Sequence, residues 1–227
     1  CYSDPHLYPE VSFLDPIYTF TVSKKQTVAG VADAMNHIME QYFCEDSTLL
    51  NDGFMEAGLR SLMINGRKCL ENPKDYNARA EMMLACTYGC NGIYCLGNSE
   101  SGWPCHGMEH ALSAYYDITH GEGLAIITPR WMKHILSEKT VDRFVKYGIN
   151  VFGIDGSLDK MAIANKAIDE TYKFFESINI PMHLKDVGID ESRIDEMAKH
   201  VADNEGLENA WAPLLEEDIA AIFRASL

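Results

Sequence analysis

Three histidines of this chain stand within the fifteen residues from 106 to 120. They are His106, His110 and His120, out of eight histidines in a chain of 227 residues. Neutral imidazole is the commonest protein ligand for metals, and histidine is also the side chain that titrates closest to neutral pH. The segment therefore indicates either a metal site or a site of proton transfer.

A second polar pair precedes this segment. A predicted helix over 26–45 places Asp33 and His37 about 40° apart on the face opposite its apolar stripe. A predicted helix over 104–117 does the same for His106 and His110. Each pair alone is also explained by an ordinary solvated or hydrogen-bonded pair. Together, a carboxylate and several imidazoles on separate helices can converge into a donor set that suits divalent Fe or Zn, which favours a metal site.

One motif competes for the same residues. The run His106-x-x-Glu109-His110 matches the pattern of inverted zinc proteases, in which two histidines hold zinc and the glutamate activates water. On a helical projection Glu109 lies about 60° from His106 and about 100° from His110, so it is less well aimed into the same cleft. The motif also leaves the earlier acidic pair without a role. A metallohydrolase therefore remains the weaker alternative.

The elements that must position these residues are helical. Apolar residues recur with helical periodicity from Gln26 onwards and strand signals nearly vanish, so we predict an all-α domain over 23–227 preceded by an extended segment, 1–22. Ser47 and Asp190 are predicted N-caps, and residues 121–123 are predicted to form a glycine-rich turn. The predicted helices span roughly 26–45, 47–71, 75–96, 104–117, 122–137, 139–151, 157–178, 190–203 and 215–226.

Composition excludes several functions. With 19 basic and 34 acidic residues the formal charge is -15, which disfavours nucleic acid and anionic membrane surfaces. The most apolar stretch, 82–96, is short and broken by Gly89 and Gly92, so no membrane span is expected. Seven cysteines without a Cys-x-x-Cys pair, and the absence of a secretion signal, favour the reducing cytoplasm.

The sequence resembles the iron-containing (group III) alcohol dehydrogenases, most closely their butanol dehydrogenase-like branch. The resemblance extends over essentially the whole chain. It rests on the segments 13–21 (FLDPIYTFT), 27–43 (TVAGVADAMNHIMEQYF), 106–125 (HGMEHALSAYYDITHGEGLA), 128–132, 188–190 and 217–219.

The resemblance implies both a fold and a set of site residues. The fold is the multi-helix C-terminal domain shared with dehydroquinate synthase-like proteins. Asp33, His37, His106 and His120 match the family's four metal ligands, for Fe(II) or Zn(II). His110 matches a non-ligand histidine beside the nicotinamide of NAD or NADP and the substrate, a small alcohol or aldehyde. We expect it to act catalytically by relaying the alcohol proton towards solvent.

The chain departs from the family in one respect. Complete members carry an N-terminal nucleotide-binding domain with a glycine-rich phosphate turn, and no such turn occurs in these 227 residues. We expect residues 1–22 to join that domain, and the chain alone to have little dehydrogenase activity. Homo-oligomers, most simply dimers, are expected of the full-length protein. A noncatalytic helical assembly module is the third interpretation.

Overall fold

The computed structural model describes residues 4–227, and within that range all regular structure is helical, so the all-α prediction is confirmed. The described residues form nine α-helices: α1 (Lys24–Tyr42), α2 (Leu49–Glu71), α3 (Tyr76–Cys90), α4 (Pro104–Tyr116), α5 (His120–Ile135), α6 (Val141–Phe152), α7 (Lys160–Ser177), α8 (Ile194–Asn204) and α9 (Glu216–Ala225).

Side-chain caps fix where several of these helices begin. An oxygen of the N-cap side chain accepts a bond from a backbone N–H of the first turn, which the helix itself cannot satisfy. Thr48 caps α2 in this way, so the prediction of Ser47 as the cap is wrong by one residue. Asp190 does act as an N-cap, for the 3-10 turn Glu191–Arg193 that leads into α8. Ser23, Asp75 and Asp159 cap α1, α3 and α7 in the same way.

Two helix boundaries differ from the prediction in ways that affect the site. α3 ends at Cys90 because Gly92 takes a left-handed conformation, φ +83°. α5 begins at His120, so residues 121–123 belong to its first turn and the predicted glycine turn is wrong. Gly121 is needed for close packing instead: a Cβ there would lie 2.0 Å from the carbonyl oxygen of Ala29 on α1.

The core surrounds α1, which packs against α2, α3, α4 and α5. At the C-terminal end of α1 a group of aromatic rings is at most 2% exposed. Burial of such a side chain contributes roughly 1.5–3 kcal/mol relative to exposure, so this end of α1 is held firmly. The group comprises Tyr42, Phe43, Trp131, Phe144 and Tyr147.

Between residue 4 and α1 the structure shows two short 3-10 turns, Pro5–Leu7 and Pro16–Thr19. Phe13 and Tyr18 in this segment are 92% and 84% exposed. Residues 1–3 of the predicted extended segment lie outside the described residues, and its role as a connection stays a prediction. From residue 4 onwards, every helix is too short or too polar to cross a lipid bilayer.

Candidate metal centre

Three helices bring the four predicted ligands together around one carboxylate oxygen. On α1, Asp33 and His37 lie one turn apart, with His37 Nε2 3.5 Å from Asp33 Oδ1. His106, in the first turn of α4, places its Nε2 3.6 Å from the same oxygen. His120, the first residue of α5, places its Nε2 at 3.6 Å as well. Residues about seventy positions apart in the chain thus meet in one cluster.

The separations suit a small divalent ion. Tetrahedral ligands about 2.1 Å from a central ion are about 3.4 Å from one another. One ligand atom from each of Asp33, His37 and His106 lies within 4.8 Å of the others. His120 is not part of that group of three, but its Nε2 lies 3.6 Å from Asp33 Oδ1, which is.

Two of the converging atoms are left without hydrogen bonds. Among the described residues, Asp33 Oδ1 and His106 Nε2 are buried and have no hydrogen-bond partner. A buried polar atom in this condition is costly, typically about 1–3 kcal/mol. A cation between the two atoms would satisfy both, so the residues present fit a divalent metal.

A buried carboxylate orients His106 from behind. The side chain of Glu40, on α1, is fully buried and its Oε2 bonds to His106 Nδ1. Its Oε1 accepts from the backbone N–H of Cys105 at 2.5 Å and of His106 at 3.3 Å. Glu40 therefore both fastens the start of α4 and places the proton of His106 on Nδ1, which leaves Nε2 free to bind an ion.

The same arrangement occurs behind His120. Glu109, on α4 and also fully buried, bonds through Oε2 to His120 Nδ1. Its Oε1 accepts a bond from the hydroxyl of Ser113 at 2.6 Å. Carboxylates that accept from the second nitrogen of a ligating histidine are a recurring feature of metal sites, because they hold the ring and raise its basicity.

The pKa shifts describe a site that attracts positive charge. Burial alone would lower the pKa of His106, but the neighbouring carboxylates of Asp33 and Glu40 raise that pKa to about 9. The bond to Glu109 similarly raises the pKa of His120. Burial opposes ionisation of Asp33, yet His106 and the other two imidazoles hold the pKa of Asp33 below its usual value.

His37 has different surroundings. Burial, followed by repulsion from His106, lowers the pKa of His37. Its Nδ1 is buried and has no hydrogen-bond partner among the described residues. The indole of Trp103 lies edge-on to it, with ring centroids 5.4 Å apart. His37 is therefore a neutral imidazole held by packing rather than by a carboxylate.

His110 lies beside the four-residue cluster. Its ring stacks on that of His120 at a centroid distance of 6.0 Å and an interplanar angle of 19°. Its Nδ1 is 3.5 Å from Glu205 Oε1 on the residue that follows α8, and its side chain is 53% exposed. A half-exposed imidazole at the edge of a metal cluster can exchange protons with solvent.

The geometry disfavours the metallohydrolase alternative. In that mechanism Glu109 would activate a water molecule, but its carboxylate is fully buried and both of its oxygens are bonded, to His120 and Ser113. The ring centroids of His106 and His110 are 6.4 Å apart, whereas those of His106 and His37 are 4.4 Å apart. The imidazole nearer to His106 is thus the one on α1, not His110 on its own helix.

Sequence reasoning missed Glu40 and considered Glu109 only as the water-activating residue of the protease-like motif. Glu40 follows Asp33 by seven positions, which puts it within about 20° of the same helix face. That stripe of Asp33, His37 and Glu40 was a usable signal for a third functional residue on α1. The contact between Glu109 and His120 crosses from one helix to another, and no spacing in the sequence reports it.

Comparisons with known proteins show which family the chain belongs to. The model of the Fe-containing alcohol dehydrogenase family, C-terminal, matches residues 27–227. The chain is 47% identical to NADH-dependent butanol dehydrogenase A of Clostridium acetobutylicum over 220 residues, which cover 96% of this chain and 56% of the relative. It is 45% identical over 226 residues to NADH-dependent butanol dehydrogenase B of the same organism, covering 98% and 58%.

A solved structure is similar over the same extent. The crystal structure of NADH-dependent butanol dehydrogenase A from Thermotoga maritima superposes with a TM-score of 0.91 at 35% identity, covering 99% of this chain and 57% of that one. The chain thus spans little more than half the length of the relatives it matches. On the family match and these identities, the chain belongs to the Fe-containing alcohol dehydrogenase family and corresponds to its C-terminal region.

Proposed function

We propose that this chain supplies the metal-binding part of an NAD(P)-linked oxidoreductase that interconverts small aliphatic alcohols and aldehydes. Asp33, His37, His106 and His120 would hold Fe(II) or Zn(II). The observation that carries the proposal is the convergence of three imidazole Nε2 atoms at 3.5–3.6 Å from Asp33 Oδ1. Both Clostridium relatives are butanol dehydrogenases, which supports the substrate class.

Each group has a separate task in this proposal. A divalent ion would act as a Lewis acid on the substrate oxygen, while the nicotinamide would accept or supply the hydride. Glu40 and Glu109 hold the imidazoles of His106 and His120 from behind. Trp103 packs edge-on against His37 and His106, with ring centroids 5.4 Å apart in both cases.

His110 is the proposed proton carrier. Its side chain is 53% exposed and stacks on His120, so it lies between the metal cluster and solvent. An imidazole can accept the proton of an alcohol during oxidation and return it during aldehyde reduction. Glu205, 3.5 Å from its Nδ1, would steady the ring while it carries charge.

The nucleotide is assigned to another part of the protein. The chain spans 56% of the length of the Clostridium butanol dehydrogenase A, and we propose that binding of NAD or NADP needs sequence beyond these 227 residues. The chain alone would then bind metal but turn over little aldehyde. Efficient aldehyde reduction by the 227 residues alone would contradict this part of the proposal. Dimerisation is proposed only for the full-length protein.

Metal analysis tests the central claim. The protein is purified at its full natural length without added ions, and its iron and zinc are measured together with those of Asp33→Ala. We expect stoichiometric metal in the native protein and its loss in the variant. Asp142→Ala is the matched control, since Asp142 is an exposed aspartate that pairs only with Lys160. If Asp33→Ala kept the metal content of the native protein, the proposed metal site would be wrong.

A further inference from the structure

We propose that Glu40 and Glu109 are positioning residues that set the proton tautomer of His106 and His120, and that Glu40 does so far more strictly. The inference rests on the metal site of the proposed function. Both carboxylates are fully buried and each bonds to Nδ1 of one imidazole. Neither reaches the Nε2 side, where the four donors converge, so both act through the histidines.

The tautomer decides whether a histidine can bind an ion. A neutral imidazole carries its proton on one nitrogen and offers a lone pair on the other. A carboxylate facing Nδ1 accepts that proton's hydrogen bond, so the lone pair lies on Nε2. In both histidines Nε2 is the atom that lies 3.6 Å from Asp33 Oδ1. The other tautomer would point an N–H at that oxygen, and Nε2 would then have no lone pair with which to bind an ion.

The two glutamates differ in what holds their other oxygen. Glu40 Oε1 accepts from two backbone N–H groups, those of Cys105 and His106. Backbone N–H groups only donate, so the atom at that position has to be an acceptor. Glu109 Oε1 instead receives the hydroxyl of Ser113 at 2.6 Å. A hydroxyl both donates and accepts, and the proton of Ser113 has an alternative acceptor in the carbonyl of Ile118 at 3.4 Å.

Glutamine at each position exposes this difference. In Glu40→Gln the amide oxygen has to stay on the two N–H donors, so the NH2 group faces His106 Nδ1. It donates there, moves the imidazole proton to Nε2 and blocks the metal. In Glu109→Gln the amide can turn its oxygen towards His120 Nδ1 and its NH2 towards Ser113. The hydroxyl then donates to Ile118, and the tautomer of His120 is kept.

The structure therefore predicts that glutamine lowers metal affinity by different factors at the two positions. Removing a carboxylate behind a ligating histidine typically weakens metal binding by about 10–100-fold. We expect Glu40→Gln at the upper end, about 100-fold, and Glu109→Gln at about tenfold or less. Glu56→Gln is the matched control. Glu56 is also a buried glutamate, but its hydrogen bonds come from Tyr42 and Asn150. It makes no hydrogen bond with His37, His106, His110 or His120.

The experiment measures Zn(II) affinity by chelator competition, with the protein at its full natural length. Zn(II) has no redox chemistry, so it reports the donor set alone. Nitrogen-15 NMR of histidine-labelled protein, recorded before zinc is added and at a pH high enough for both imidazoles to be neutral, reads the tautomers. We expect Nε2–H on His106 in Glu40→Gln and Nδ1–H on His120 in Glu109→Gln. A role of Glu40 only in capping α4 would change the unfolding temperature without moving the tautomer.

The outcomes separate clearly. Equal affinities for the native protein and both glutamine variants, an unchanged His106 tautomer in Glu40→Gln, or a larger loss in Glu109→Gln would each overturn the inference. If Glu40→Gln does not fold, Glu109→Leu replaces it. Leucine removes the acceptor outright, so affinity should fall by about 100-fold with mixed His120 tautomers, and retained affinity would overturn the inference. Failure of the native protein to bind zinc would count against the proposed function instead.

Discussion

Gly123 packs directly against the carboxylate of Glu109: a Cβ on residue 123 would lie 2.7 Å from Glu109 Oε1 and 2.8 Å from its Cγ. The glycine lies in the first turn of α5, three residues after His120. It therefore leaves the space in which Glu109 reaches His120 Nδ1. Residue 123 leaves this space because glycine has a hydrogen atom where alanine has a methyl group.

Gly123→Ala should weaken metal binding more than it weakens the fold. The added methyl has to push the Glu109 carboxylate away from His120, so we expect metal affinity to fall by about tenfold. Alanine also favours a helix over glycine by about 1 kcal/mol, which offsets part of the packing strain. Zinc affinity and the free energy of unfolding, measured on the same preparation, check the prediction. An unchanged zinc affinity would show that Glu109 has room to move.

Gly121→Ala should instead weaken the fold more than it weakens metal binding. A Cβ at this position would meet the carbonyl oxygen of Ala29 at 2.0 Å, and backbone cannot step aside as a side-chain end can. α5 then has to shift from α1, and overpacking of this kind costs about 1–3 kcal/mol. Denaturant unfolding without metal should register the loss. If Gly121→Ala were as stable as the native protein, the close contact between α1 and α5 would be wrong.

Local patterns in the sequence predicted much of this site. The spacing of Asp33 and His37 on α1, and of His106 and His110 on α4, follows directly from helical periodicity. The assignment of His120 came from the family resemblance, since projection alone leaves His106 and His110 equivalent. The structure brings His106 and His120 to the same oxygen and leaves His110 on the edge.

What the sequence did not predict depends on contacts between helices. Glycines 121 and 123 were interpreted as a flexible turn because glycine breaks helices when nothing packs against it. Here both are helical, and each packs closely against a neighbour, Gly121 against the backbone of α1 and Gly123 against a side chain of α4. The same holds for Glu109, whose partner His120 is known only once α4 and α5 are packed together. Pairing across helices is a property of the assembled fold.

Metal affinity should rise with pH. The pKa of His106 is about 9, so at neutral pH it carries a proton that has to leave before Nε2 binds an ion. Each proton released makes the affinity rise about tenfold per pH unit below that pKa, and the rise should flatten above it. The lowered pKa of His37 means that this residue adds nothing to the slope at neutral pH. Zinc competition between about pH 6.5 and 8.5 measures the slope.

Two comparisons make the pH prediction specific. His110→Ala should keep the slope, because His110 lies outside the four-residue cluster. Calorimetry in buffers of different ionisation enthalpy should detect proton release on zinc binding at pH 7. A flat affinity profile without proton release would contradict the raised pKa of His106.

Arg143 should stabilise the fold by holding the C-terminal end of α1, where the buried aromatic rings lie. Its guanidinium makes two bonds to the buried carboxylate of Asp52, at 2.9 and 3.0 Å, and also donates to the backbone carbonyl of Tyr42. Arg143→Ala leaves Asp52 with only Lys146 as a cationic partner, so we expect a loss of about 3 kcal/mol in the free energy of unfolding. Arg193→Ala, which breaks an exposed pair with Glu196, should leave stability unchanged. Similar stabilities of the two variants would refute the assignment.

His110→Ala separates proton transfer from metal binding. His110 stacks on His120 but contributes no atom to the cluster around Asp33, so the variant should retain the metal of the native protein. Under the proposed function, kcat for reduction of butanal by NADH should fall by about 100-fold, the lower end of the usual contribution of general acid–base catalysis. The dependence of kcat on pH should change as well. The full-length protein is used, and Glu205→Gln serves as the milder companion, because it keeps the imidazole and removes only its charged neighbour. Full turnover in His110→Ala with an unchanged pH profile would assign the proton to another group.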